Sequence, residues 1–482
     1  MTGTPSATSM SQLLGPWLAG QRWYAAKGTV TGAPERAGGL RLRDDDGAVG
    51  VEVHFVVVPG ADGGRTTYQV PLTYHAAEQP QLAHALVGRF EHPELGPRWI
   101  YDGPHDPVFV QAWLRLLDGG RATGEGPGPA AGQAVGVRQR VGLPPSGAAQ
   151  VLRGEQSNTS IIVGRDGADP VIIKLFRVLH AGANPDVVVQ TRLAAAGCDR
   201  VPHPVGWIEG TWASAVPTEG GAEADGGVAQ GHLAYACEFV PDGADAWRVA
   251  CAAVERGEPF DEPAHGLGIA TAQVHGALAA ALPTRAVDDA TLDALADGLT
   301  GRIDWAVGLV PELARFAPAA RAAVAAVRAL DGLPDLQQVH GDYHLGQVLH
   351  SPSRGWVLLD FEGEPLRPLA ERLDPDLALR DVAGMLRSFD YAARHATVGL
   401  PPDDPATVAA DAWAGRARAA FLAGYAAAGG RADGGPERTL LRALEIDKAM
   451  YEVVYETLNR PAWVPIPLAA LERLTRVDAA GA

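Results

Sequence analysis

Apolar and polar residues alternate through "VGVEVHFVVVPG" (49–60) and "TTYQVPLTY" (66–74) with the two-residue period of half-buried strands, whereas residues 13–25 carry the wider spacing of a helix. These segments predict a small strand-rich unit over about the first hundred residues. Further along, "AQVLRGEQSNTSIIVG" (149–164) predicts a hairpin and "PVIIKLFRV" (170–178) a third strand, followed by a helix near Asn184 with Pro185 in its first turn. Residues 116–136 and 214–231 are rich in glycine and proline without apolar periodicity, and both are predicted to be surface loops. From Ala244 onward the spacing becomes helical and alanine-rich, as in "GLGIATAQVHGALAAAL" (266–282). One strand-like interruption remains, where 348–350 and 357–359 can pair across the turn at 352–355.

This order of elements predicts an α+β chain in three parts: a strand-rich cap over 1–100, a sheet-rich lobe over 101–240 and a helical lobe over 241–482. A mostly antiparallel sheet joined to a helical lobe by "CEFVPDG" (237–243) is a two-lobe plan with a cleft between.

Composition narrows the partners. Lys plus Arg number 40 against 57 Asp plus Glu, a formal charge of −17 that opposes polyphosphate backbones and anionic lipid, so nucleic acid and membrane are both excluded as expected partners. Cys198, Cys237 and Cys251 are odd in number and lack zinc-site spacing, which predicts reduced, buried thiols. The N-terminus has no apolar core of signal-peptide length and no run reaches a membrane span, so a soluble, cytoplasmic protein is expected.

The chemistry concentrates in "VHGDYHLGQVLHSPSRGWVLLDFEGEP" (339–365). One hairpin separates Asp342 from Asp360, so both carboxylates return to the same edge, and two carboxylates held close need a proton or a cation between them. Hard Mg²⁺ is the economical choice. His340 and His344 suit magnesium poorly and read as hydrogen-bonded orienters of the loop, with His344 grouped beside Asp342 in the catalytic set. Lys174 places a charge in the apolar run "VIIKLF", which is costly unless an anion meets it. "RGEQSNTS" (153–160) sits between two strands and offers turn amides together with Ser157, Asn158, Thr159 and Ser160, either as a phosphate cradle or as an ordinary polar turn. In "ALEIDKAMYEVVYETL" (443–458), Asp447, Tyr451 and Tyr455 fall at i, i+4 and i+8, with Glu445, Glu452 and Glu456 on an adjoining stripe and Trp463 beyond. Aromatic faces beside carboxylates make a sugar site, but the same stripe also fits core tyrosines under a solvated acidic face.

His340-Gly341-Asp342-Tyr343-His344, Gln347 and Asp360-Phe361-Glu362 together resemble the catalytic-loop and metal segments of the aminoglycoside phosphotransferase and choline kinase superfamily. "HGDxHLGQ" followed by "DFEGEP" is similar to the maltokinase-like group in particular, and the likeness runs from Trp23-Tyr24 through residues 155–160 to "RPAWVPIPL" (460–468). The resemblance implies a bilobal protein-kinase-like fold with an N-terminal cap, ATP as donor, Asp342 accepting or orienting the proton of an attacking hydroxyl, and Gln347 and Asp360 holding Mg²⁺. It places 155–160 over the ATP phosphates, Lys174 on the α and β phosphates, and Glu238 and Val240 at an adenine-reading hinge. The glutamate that usually pairs with such a lysine is absent from "NPDVVVQ" (184–190), leaving Asp186 or ordered water as its partner.

On the acceptor side, Glu362, Glu364, Arg380, Asp381, Asp447, Tyr451, Glu452 and Trp463 are the expected sugar contacts, with Asp381 also bracing the catalytic loop. The expected activity is phosphorylation of a small sugar. An acid-rich acceptor side tilts the choice to glucosamine, giving glucosamine 6-phosphate, with maltose giving maltose 1-phosphate as the alternative. A catalytically silent scaffold binding a partner enzyme of sugar metabolism and an aminoglycoside-modifying enzyme are the further readings, and a monomer or weak homo-oligomer is expected.

Overall fold

A computed structural model describes residues 7–24, 33–60, 64–124, 132–140, 149–152, 157–164, 169–214, 227–363 and 368–476. The chain divides into two compact units, Met1–Val187 with His203–Pro241, and Val188–Pro202 with Asp242–Ala482. Among the described residues no helix is long and apolar enough to cross a membrane.

The first unit opens with α1 (Ala7–Ala19) and is built on one antiparallel sheet. Its strands are β1 (Glu35–Leu42), β2 (Gly50–Pro59), β3 (Arg65–His75), β4 (Leu86–His92), β5 (Gly96–Asp102), β6 (Arg121–Thr123), β7 (Gln133–Arg138), β8 (Ala149–Val151), β9 (Asn158–Val163), β10 (Val171–Phe176), β11 (Val178–Leu179), β12 (Pro204–Ala213) and β13 (Val228–Glu238), with α2 (Pro107–Leu117) packed on it and α3 (Pro185–Ala195) leaving it. The sheet runs without a break from β4 to β8 in the order β4-β5-β3-β2-β1-β6-β7-β12-β13-β10-β9-β8.

Two sequence expectations change here. The alternation in 49–60 and 66–74 does not mark a solvent face, because β2 is buried along nearly its whole length and packs against a separate cluster on each side. Buried polar positions of β2 and β3 survive by pairing: His54 Nε2 in β2 meets Tyr74 Oη at 2.8 Å, and Gln69 Nε2 in β3 donates to the carbonyls of Phe176 and Leu233 at 2.9 Å. Part of the expected loop at 116–136 instead forms the β6–β7 pair. Gly136 allows this, since a Cβ there would lie 1.8 Å from the Leu116 carbonyl oxygen at the end of α2.

The second unit contains α4 (Ala246–Glu255), α5 (Asp261–Ala281), α6 (Asp289–Leu309), α7 (Ala317–Val327), α8 (Leu379–Arg394), α9 (Pro405–Ala427), α10 (Gly435–Asn459) and α11 (Pro465–Thr475) around one large apolar cluster. A three-stranded sheet interrupts them: β14 (Ala244–Asp245), β15 (Val348–Ser351) and β16 (Gly355–Leu358), the last two forming the predicted hairpin. The three cysteines are free, with Cys198 and Cys251 buried and Cys237 partly so.

Candidate active site

The hairpin brings two of the expected site residues together. Leu359 N donates to the Gln347 carbonyl at 2.9 Å, and Gln347 Nε2 reaches Asp360 Oδ2 at 3.1 Å, so the two expected metal residues meet at the open end. Asp360 has φ +61°, the single non-glycine residue at positive φ among the described residues. Backbone strain of this kind persists only where the surroundings fix it, and it clusters at functional sites. Glu362, an expected acceptor contact, carries a carboxylate oxygen within 4.8 Å of Asp360's. Amide and carboxylate oxygens are the hard donors magnesium takes, and a flip of the Gln347 amide presents its oxygen.

The two histidines are already occupied. His340 is 2 % exposed and its Nε2–H donates to the Leu359 carbonyl at 2.7 Å. His344 Nδ1 accepts from Gly346 N at 3.0 Å and caps the short turn Leu345–Gln347, leaving Nε2 4.0 Å from Asp342 Oδ2. Crowding by the protein holds the His344 imidazole below its ordinary pKa, outweighing the opposite pull of Asp342. It is therefore neutral near pH 7.

Asp381 is where the structure most corrects the acceptor reading. It is 1 % exposed and spends its oxygens on the loop: Oδ2 accepts from His340 N at 2.7 Å and from His275 Nε2 at 3.0 Å, and Oδ1 accepts from Gly341 N at 2.9 Å. Burial alone would raise its pKa, but the hydrogen bond and charge of His275, then His340, bring it below the usual carboxylate value. Asp381 braces the loop through these three donors. Gly384 lets α8 close on the same loop, because a Cβ there would meet the Tyr343 carbonyl oxygen at 2.6 Å.

Asp342, its side chain about one-third exposed, lines a cavity of about 690 Å³ with His344, Tyr391, Lys448, Tyr451, Glu452, Tyr455, Glu456, Arg460 and Trp463. Three expected contacts, Tyr451, Glu452 and Trp463, are in this wall. Arg380 and Asp447 are not: they line an adjoining 90 Å³ cavity, where Arg302 Nε donates to Asp447 Oδ1 at 2.6 Å and Arg380 Nε donates to Asp376 Oδ1 at 2.7 Å. Glu364 lies outside the described residues. The stripe on α10 is rotated from the one read in the sequence. Positions four apart drift round a helix, so 447, 451 and 455 do not share the cavity face, whereas Lys448, Tyr451, Glu452 and Tyr455 at i, i+3, i+4 and i+7 do.

The rings of this wall stack. Trp463 lies on Tyr391 at 6.0 Å and 28°, Tyr451 on Tyr455 at 6.4 Å and 23°, and the Arg460 guanidinium sits 4.6 Å over Trp463. Its acids are paired. Glu452 accepts from Arg387 Nε at 2.8 Å, and Glu456 accepts from Arg460 Nη2 at 2.6 Å and from Tyr391 Oη at 3.1 Å. Burial raises the Glu452 pKa, with Arg387 opposing. Sequence reading missed Tyr391, Lys448 and Arg460; the seven-residue face of α10 was the signal for Lys448, and none marked Tyr391.

In the first unit, Lys174 Nζ meets Asp186 Oδ2 at 3.2 Å, identifying the lysine's carboxylate partner in the first turn of α3. Ser160 stands opposite Lys174 in the β9–β10 register and so shares its face. Asn158, Thr159 and Ser160 are strand residues of β9 and not turn residues, and all three are buried. Thr159 points the other way: its hydroxyl accepts from Arg177 Nε at 2.8 Å, while Arg177 Nη2 donates to both Asp102 oxygens at 2.9 Å, so Thr159 braces the sheet. Ser157 is exposed at the start of that strand. Glu238 N donates to the His203 carbonyl at 2.9 Å, and Val240 is 6 % exposed.

Residues 17–106 match the family described as the maltokinase N-terminal cap domain. A glucosamine kinase of Streptacidiphilus jiangxiensis is 32% identical over 339 residues, spanning 66% of this chain and 72% of that protein. The chain belongs to the glucosamine kinase family. A second member, the glucosamine kinase of Mycolicibacterium smegmatis, is 29% identical over 411 residues, covering 79% of this chain and 96% of its own. Among solved structures, a glucosamine kinase in complex with glucosamine, ADP and inorganic phosphate superposes with a TM-score of 0.64 at 24% identity, covering 98% of this chain and all of that one. The α+β, kinase-like fold expected from the motifs is thus the fold of the family.

Proposed function

We propose that this protein is an ATP- and magnesium-dependent kinase that transfers the γ-phosphate to a hydroxyl of glucosamine, giving glucosamine 6-phosphate. The observation carrying this reading is that the Asp342 carboxylate lies in the wall of a cavity otherwise built from stacked aromatic rings and paired acids, the lining a sugar requires. A sugar hydroxyl beside Asp342 hands its proton to the carboxylate as its oxygen bonds to the γ-phosphorus; the bond from that phosphorus to the β–γ bridging oxygen breaks, and ADP leaves. His344, kept neutral, orients the loop. Gln347, Asp360 and Glu362 would hold magnesium, which supplies charge neutralisation on the phosphates. Lys174, positioned by Asp186, serves the α and β phosphates, with Ser160 beside it. The relatives named for glucosamine kinase activity support glucosamine as acceptor.

Maltose remains a second reading for two reasons: the cap matches the maltokinase family, and Glu452 and Glu456 are already paired with arginines, so the cavity does not demand a cation. The test is magnesium-dependent ADP release from wild type and Asp342→Asn with glucosamine, maltose and glucose. Turnover should fall by about 10²–10⁴-fold in the variant with nucleotide affinity retained. Undiminished turnover in Asp342→Asn would defeat the catalytic assignment, and turnover of maltose alone would transfer the activity to maltose 1-phosphate synthesis.

A further inference from the structure

A second large cavity, about 810 Å³, lies in the helical unit apart from the acceptor pocket. The charged residues of its lining are four arginines, Arg394, Arg418, Arg473 and Arg476, and two acids, Asp411 and Glu472. Arg394 is held by Asp411 at 2.6 and 2.7 Å and Arg418 by Glu445 at 2.7 Å, so Arg473 is the arginine taken to meet a ligand. Leu400, Pro401, Pro402 and Leu468 supply an apolar wall beside them.

The arginines of this cavity connect to the acceptor pocket through buried charge. Arg473 Nη2 donates to Asp390 Oδ2 at 2.7 Å, Arg418 Nη1 reaches the same oxygen at 3.5 Å, and Arg387 Nη1 is bonded to it as well. Three guanidinium groups thus converge on one carboxylate oxygen, while Asp390 Oδ1 is buried without a hydrogen-bond partner. Arg387, 1 % exposed, turns its Nε to Glu452 Oε2 at 2.8 Å, and Glu452 lines the acceptor pocket. Burial alone would raise the Asp390 pKa, but Arg418, Arg387 and Arg473 hold it below the ordinary carboxylate value, so the charge in the middle of this chain is present at neutral pH.

We propose that the arginine-walled cavity is a regulatory site for a small organic phosphate, and that its occupancy reaches the acceptor pocket through Asp390, Arg387 and Glu452. Guanidinium forks match phosphate oxygens, and Arg473, whose side chain is 46 % exposed, is free to turn from Asp390 to a ligand. The volume exceeds what inorganic phosphate fills, and the proline and leucine wall suits an uncharged carbon body. When a phosphate takes Arg473, Asp390 loses one of its three cations and draws more on Arg387. Arg387 then holds Glu452 less tightly, and Glu452 becomes available to the ammonium group of an amino sugar. The ligand is therefore an activator that tightens acceptor binding, and by linkage the acceptor tightens the ligand equally.

The coupling half of this proposal rests on the acceptor reading above; the binding half does not. Glucose 6-phosphate and inorganic phosphate are titrated calorimetrically into the full chain with glucosamine and a non-hydrolysable ATP analogue already saturating, for wild type, Arg473→Gln and Ala469→Trp, the last filling the cavity without disturbing Asp390. One saturable site for glucose 6-phosphate is expected in wild type, weaker for inorganic phosphate, and weakened at least tenfold in both variants. In steady state, glucose 6-phosphate should lower the wild-type KM for glucosamine about fivefold at unchanged kcat, as typical coupling gives, with no shift in either variant. No binding to wild type, equal binding to all three proteins, inorganic phosphate binding as tightly as the ester, or binding with an unmoved KM would each overturn the proposal. If the wild type does not phosphorylate glucosamine, the acceptor reading fails while the calorimetry still decides the site.

Discussion

Two stretches of α8 bury carboxylates in opposite ways. In its first turn, Asp381 satisfies two backbone amides and one histidine, each with its own oxygen lone pair, and the result is a fixed loop. Two turns on, Asp390 is shared among Arg387, Arg418 and Arg473, all on one oxygen. Backbone amides cannot move without unfolding the loop, whereas long arginine side chains can redistribute at small cost. The difference teaches that burial by itself says little about role: one carboxylate is a clamp, the other a junction.

The comparison can be broken at its strongest point first. Asp390→Ala strips three arginines of a common partner, two of them nearly buried, and should lower stability by roughly 3–5 kcal/mol in denaturant unfolding. A loss below 1 kcal/mol, about what exposed pairs give, would mean that these pairs are not a junction. Asp381→Asn keeps the volume but strands one loop amide, at about 1–3 kcal/mol, and should lower kcat by up to about 10²-fold through misplacement of Asp342, with little change in either KM. An unchanged kcat would remove Asp381's role as clamp.

Acid sharpens the same contrast. Asp381 and Asp390 both titrate below the ordinary carboxylate value of 3.8 in the folded protein, so the unfolded chain binds more protons near that pH. Their stabilisation is complete above 3.8 and drains away as pH falls below it. The stability gap between wild type and Asp381→Asn, measured near pH 6 and again near pH 3, should shrink at the lower value; a gap that widens would show the sign to be wrong. The smallest effect is expected at the pocket's rim: Trp463→Ala removes a ring stacked on Tyr391 and should raise the sugar KM by roughly three- to tenfold, matching about 0.5–1.5 kcal/mol per aromatic contact, with kcat within twofold of wild type.

Much of the catalytic loop was legible in advance because its parts are close in sequence. A hairpin with a four-residue strand on each side leaves its flanking residues little choice, and so Gln347 and Asp360 meet at its open end. Lys174 was legible for a related reason: an apolar strand makes its charge conspicuous, although only the fold supplied Asp186. The polar positions of β2 misled because a period of two states that the faces differ without saying that either one is wet. Thr159 misled because adjacent strand residues point to opposite faces, which separates it from Ser160.

By itself, then, the order of residues determined the element types, the hairpin and the cluster of groups at its open end, since each depends on contacts a few residues apart. Tertiary packing alone decided which face of α10 lines the cavity, which donors the oxygens of Asp381 accept from, and that Asp390 and Arg387 connect side chains of two cavities. Those outcomes depend on side chains tens to more than a hundred positions apart, whose meeting is set by how helices pack in three dimensions and leaves no periodic trace along the chain.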